Sequence, residues 1–120
     1  MTQYAESFNE RVEGALSEEA KRRYRNAVEL HYKAMVHLID YLLLHTKGII
    51  IESLKQRLEE TNSLDPDINA IFREVHVIYR GTYRTKNTME DCKKLKNGIK
   101  AIARLGRIEA DFQEGLEKIS

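Results

Sequence analysis

At 120 residues, 42% hydrophobic and 32% charged, the chain has the composition of one ordinary soluble domain, 1–120, large enough to bury a core. A single cysteine, Cys92, excludes an internal disulfide, and no stretch approaches the roughly 18 apolar residues of a membrane span. The net charge of +1 conceals segregation: residues 80–107 hold nine basic and two acidic residues, whereas residues 1–20 hold one and five. The acidic, amphipathic start "MTQYAESFNERVEGAL" lacks the basic head and apolar run of a secretory signal, so a cytoplasmic protein is expected.

Nothing reads as strand, and helical spacing runs nearly throughout. Tyr4, Phe8 and Val12 predict a short first helix with Gly14 near its end. Ser17 fits an N-cap, with Glu18 and Glu19 in the first turn of a second helix that reaches about His45. Tyr24, Val28, His31, Met35, Leu38, Leu42 and His45 form one stripe on it; Leu30, Ala34, His37, Tyr41 and Leu44 form another. A helix apolar on two faces belongs at the centre of its bundle. Lys47 and Gly48 stop it. Ile50 or Ile51, Leu54 and Leu58 mark a shorter third helix, which "NSLDP" breaks. Asp65 then caps a helix with Pro66 in its first position, carrying Ile68, Ile71, Phe72, Val75, Ile78, Tyr79 and Thr82, with Gly81 near its end. Thr88 and Asp91 resemble a capping box for a last helix running from Met89 to Ile119, bent at Gly106. The expected fold is all-α, an antiparallel up-and-down bundle of four main helices plus a shorter N-terminal one.

The residues that could carry chemistry are few. The four histidines and the cysteine show no metal-ligand spacing, so neither a metal nor a cofactor is expected. His31 and His45, on an apolar stripe, read as buried, hydrogen-bonded side chains; Cys92 reads as a packed hydrophobe. Arg73 and His76, at i and i+3, share a helix face and can meet. Lys93, Lys96, Lys100, Arg104 and Arg107 step by three and four along the last helix as one basic stripe, with Arg80, Arg84 and Lys86 near its upper end. Tyr79 and Tyr83 add aromatic faces able to stack on bases. The apolar surface of the long second helix exceeds what one small bundle consumes, which suggests a homodimer, with His37 at the seam.

"AVELHYKAMVHLIDYLLLHTKG", Ala27 to Gly48, resembles the long first core helix of HEPN domains (higher eukaryotes and prokaryotes nucleotide-binding) in Tyr32, Ala34, Met35, the Leu42 to Leu44 run, Lys47 and Gly48. The likeness extends over roughly Lys21 to Arg107, through Asp65-Pro66, then Arg80 and Tyr83, then Thr88, Glu90 and Asp91. The resemblance implies one of two functions. Some members of the family are metal-independent ribonucleases, often toxins beside an antitoxin, with an R-x(4–6)-H motif doubled across a homodimer. Others lack the motif and bind nucleotides or RNA, or partner a nucleotidyltransferase.

The motif pairs a histidine for proton transfer with an arginine fork for the phosphate. With Arg80 first, the histidine positions hold Thr85, Lys86 and Asn87. With Arg84 first they hold Met89, Glu90 and Asp91; with Arg73 first, Ile78, Tyr79 and Arg80. Arg25 and His31 fit the spacing, but on the wrong helix and pointing apart. The expectation is a non-catalytic module that binds a nucleotide or RNA through Arg80, Tyr83, Arg84 and Lys86, with Lys93 and Arg104 as further phosphate contacts. The alternatives are a ribonuclease toxin with a displaced site, drawing on Arg73, His76 and Lys86, and a protein-interaction scaffold.

Overall fold

The hydrophobic periodicity becomes helix throughout; among the described residues there is no strand. The structure, a computed structural model, describes residues 2–84, 86–108 and 110–120, without the side chains of Tyr83 and Ala110.

Helix α1 covers Gln3–Ala20, with Thr2 as N-cap accepting the Ala5 N–H at 3.1 Å. It is not the short helix expected. Ser17 lies exposed inside it and caps nothing. The chain turns five residues later, where Arg22 takes a left-handed conformation (φ 59°). The Arg22 and Arg23 N–H groups each donate at 2.9 Å to the carbonyls of Glu19 and Glu18, closing the helix end. Gly14 marks a close approach rather than an end: a Cβ there would sit 3.3 Å from Leu30 Cδ1.

Helix α2 covers Tyr24–Lys47 and stops as expected at Gly48, left-handed at φ 69°. It is the central element, touching α1 and the three helices introduced next. Both of its apolar stripes contribute buried side chains, Val28, Met35 and Leu38 on one and Ala34 and Tyr41 on the other. Tyr24, Leu30, Val36 and Leu44 of α2 remain half-buried. Among the described residues the exposed large hydrophobics are Ile50, Leu54, Val77, Met89 and Leu105, none of them on α2.

Helix α3 covers Leu54–Leu64, capped by Ser53, and α4 covers Pro66–Arg80, capped by Asp65, whose carboxylate accepts the Asp67 N–H at 2.8 Å. Asn69 locks the two together by donating to the Leu58 carbonyl at 2.9 Å and to Thr61 Oγ1 at 3.0 Å. Helix α5, Met89–Gly106, opens on a complete capping box: Asp91 N–H donates to Thr88 Oγ1 at 3.2 Å, and Thr88 N–H to Asp91 Oδ2 at 3.0 Å.

The last helix breaks where a bend was expected. Arg107 is left-handed (φ 52°), and Ile108 N–H donates back to the Ala103 carbonyl at 3.2 Å. Close packing supplies the reason for Gly106: a Cβ there would lie 2.7 Å from both methyls of Leu42. A 3₁₀ turn, Ala110–Phe112, and α6, Gln113–Lys118, follow. The turn delivers Phe112 onto Phe8 and Tyr41, with ring centroids 5.3 and 4.7 Å apart.

Asn9 on α1 fastens this end. Its Oδ1 accepts the Gly115 N–H at 2.9 Å and its Nδ2 donates to the Asp111 carbonyl at 3.3 Å. A Cβ on Gly115 would lie 2.7 Å from both Asn9 Oδ1 and Phe8 Cε2. Gly115→Ala is therefore expected to lower stability by about 2 kcal/mol through overpacking. Thermal unfolding checks this, and a Tm equal to the parent's would contradict the close fit. Among the described residues no helix is long and apolar enough to cross a membrane.

Candidate phosphate-binding surface

Helix α4 ends at Arg80 with Gly81 as its C-cap, but without a left-handed turn. That glycine stays right-handed (φ −66°) and the chain tightens into a 3₁₀ turn, Gly81–Tyr83, with Arg84 N–H donating to the Gly81 carbonyl at 3.0 Å. Arg80 and Arg84 thereby come to one cleft of about 540 Å³, lined also by Val77 and Gly81. Both arginines are exposed, and among the described residues neither has an acidic partner.

Lys86 lies apart from them. It lines a second cleft, of about 350 Å³, with Asn87 on one side and residues 22–26 on the other. Arg84 and Lys86 are two residues apart, so their Cα atoms are separated by at most about 7 Å, but the two clefts share no lining residue. Lys93 and Arg104 line neither cleft. Eleven residues of helix hold them about 16 Å apart along α5, too far to share one phosphate. The Tyr83 side chain lies outside the described residues, as does Thr85.

Two other members of the expected surface are engaged elsewhere. Tyr79 stacks on Tyr32, centroids 3.9 Å apart and planes 6° from parallel, so its face meets the bundle and not a base. Lys96 leaves the basic stripe to donate to Glu19 Oε1 at 2.9 Å. The other Glu19 oxygen lies 2.6 Å from His31 Nε2. His31 is fully buried, as its stripe position predicts, and burial pushes its pKa below the ordinary value of 6.5 against the pull of Glu19. A neutral ring donates through Nε2–H and leaves Nδ1 a bare lone pair; Nδ1 is buried with no partner, which fits that state. Burial opposes ionisation of Glu19 as well, but the bonds from His31 and Lys96 outweigh it and hold its carboxyl below 4.5.

Arg73 and His76 are not joined. Arg73 Nε donates to Asn69 Oδ1 at 2.8 Å, and His76 Nδ1 lies 2.9 Å from the Tyr32 hydroxyl. Burial raises the Tyr32 hydroxyl to about 12, and burial with the Arg80 charge lowers the His76 pKa. The tyrosine therefore keeps its proton and donates it to a neutral His76. His45 is exposed beside Tyr41 and not buried as expected, because its stripe outruns the cover at the end of α2. His37 is half-buried, lining a cleft with Gln3, Tyr4 and Ser7. Cys92 is fully buried, its thiol pushed up to about 12 by burial.

No family model matches the chain, and no curated protein or solved structure matches it. The residues missing from the sequence reading are Arg22, Arg23, Arg25 and Asn26, which the structure sets opposite Lys86. Their signal is the basic run "KRRYRN", which a helix drawn unbroken from Ser17 hides as a solvated face.

Proposed function

We propose that the chain is a HEPN-like module, without the family's usual ribonuclease histidine, that binds the phosphates of a nucleotide or RNA at the junction of α4 and α5. One observation carries the reading. Arg80, Arg84 and Lys86 stand exposed around this junction, on two clefts, with no acidic partner among the described residues. Unneutralised guanidinium groups on a concave surface suit phosphate oxygens, since each offers a fork of charged donors. The engaged state of His76 and His31 speaks against a displaced ribonuclease site. The antiparallel up-and-down helix order, a homodimeric state, a nucleotidyltransferase partner and a cytoplasmic location belong to the same reading.

Arg80→Ala is expected to weaken binding of a labelled, mixed-sequence single-stranded RNA about tenfold at low salt. It should also flatten the log–log salt dependence by about 0.7, the loss of one phosphate contact on a single strand. A gel read for both shift and cleavage is expected to show intact RNA. Unchanged affinity would remove Arg80 from the site, and cleavage that survives repurification would replace the binding module with a nuclease.

A further inference from the structure

We infer that the cleft at the start of α2 is a second site, which shares Lys86 with the first and is shaped for a phosphate monoester: the phosphate of a mononucleotide or the 5′-phosphate end of an RNA. The inference rests on the reading above only for the source of that phosphate.

Helix α2 begins without a cap. Arg23 occupies the N-cap position with no side-chain bond to the first turn, and that turn holds no acidic residue. The N–H groups of Tyr24, Arg25 and Asn26 have no intrahelical acceptor, and among the described residues nothing else accepts them. A 24-residue helix therefore presents its positive end bare. Arg22, Arg25 and Lys86 surround this end with no acidic partner among the described residues. Arg23 has only a 3.8 Å pairing with Glu18.

The second observation is independent of the helix end. Asn87 lines the same cleft and is 6% exposed. Its Nδ2 donates to Asp91 Oδ2 at 3.3 Å, which settles which end of the amide is which. Its Oδ1 is then buried with no donor. A buried carbonyl oxygen without a partner is costly, about 1–3 kcal/mol.

Together these groups ask for an anion carrying a donor of its own. A phosphate monoester is close to doubly charged at neutral pH, and its three terminal oxygens match three free N–H groups. Asn87 Oδ1 is sealed from the open cleft in the free protein, so the hydroxyl or N–H donors of the attached nucleoside reach it only when the Asn87 side chain shifts on binding. A diester inside an RNA strand has one charge and only two free oxygens, so it leaves one of the three N–H groups unmatched.

The test uses one mixed-sequence octamer RNA, labelled at its 3′ end, in 5′-phosphate and 5′-hydroxyl forms, read by fluorescence anisotropy. Unlabelled adenosine 5′-monophosphate and adenosine are titrated separately by calorimetry. The parent is expected to prefer the 5′-phosphate about tenfold. Asn26→Asp places a carboxylate at the third position of α2, where it favours the helix, so the fold is kept, and it repels the phosphate. That variant should erase the preference and change 5′-hydroxyl affinity less than threefold. Arg25→Ala should also reduce the preference. Arg80→Ala should weaken both RNAs alike and leave their ratio intact. Mononucleotide binding lost in Asn26→Asp, without a 5′-end preference, assigns the site to free nucleotides. Equal RNA affinities with no mononucleotide binding overturn the inference, as does a preference that survives Asn26→Asp. Either result leaves the Arg80 effect to be judged by itself.

Discussion

Glu19→Ala is expected to destabilise the protein by about 3 kcal/mol, a fall in Tm of roughly 10 °C. Glu19, on α1, holds His31 of α2 at 2.6 Å and Lys96 of α5 at 2.9 Å, so one carboxylate joins three helices. Removing it leaves a fully buried imidazole with no partner for either nitrogen and a partly buried ammonium with no acceptor. Acidification should attack the same cluster in two steps. The pKa of His31 is depressed in the fold, so below about pH 6.5 the unfolded chain takes up a proton that the native ring resists, and stability falls until the folded pKa is passed. Glu19 is also depressed; its contribution is present above pH 4.5 and lost as pH falls through its folded value. Urea unfolding at pH 7.5 and 5.5 reads the upper step and a further measurement near pH 3.5 the lower one, and His31→Gln, which keeps a donor for Glu19, should flatten the upper step. A parent more stable at pH 5.5 than at 7.5 would mean that His31 is bound as imidazolium and that the account is wrong.

Arg57→Ala is expected to cost about 3–4 kcal/mol. The Arg57 guanidinium on α3 grips the Asp40 carboxylate of α2 through two bonds, 2.7 and 2.9 Å, and both side chains are 13% exposed. Cutting away the arginine orphans a carboxylate that water reaches poorly, which is worse than having no pair at all. Asp40→Asn/Arg57→Met, which removes both charges, should therefore recover most of the loss. Denaturant midpoints for the parent, the single and the double variant decide it. A single-variant loss below about 1 kcal/mol would place the pair among ordinary surface salt bridges.

The elements legible in the sequence are those whose signals are local. Gly48 ends α2, Asp65 and Pro66 start α4, and Thr88 with Asp91 starts α5, because a cap is chemistry among a few neighbouring residues. Both misplaced boundaries share one cause. Arg22 and Arg107 adopt the left-handed conformation that sequence logic reserves for glycine, so each helix end is invisible in the residue types. The first of these errors has a functional cost: with the boundary drawn at Ser17, residues 22–26 fall inside a helix, and the cleft they form with Lys86 cannot be foreseen. Of the basic surface, Arg80 and Arg84 share a cleft because they sit four residues apart across a tight turn, a local matter. Lys96 is withdrawn by Glu19, 77 positions away, and Tyr79 by Tyr32; only packing reveals such partners.

The segment between α4 and α5 is fastened at both flanks. Arg84 N–H is tied to Gly81, and Asn87 and Thr88 are both held by the Asp91 carboxylate. An incoming phosphate therefore meets flanking backbone that is already ordered. What it must still freeze is mainly the arginine and lysine side chains, about 2 kcal/mol of rotamer entropy each at most. Preorganisation of this kind favours recognition of a small anion by geometry, where a loose basic tail would have to be ordered from scratch on each encounter.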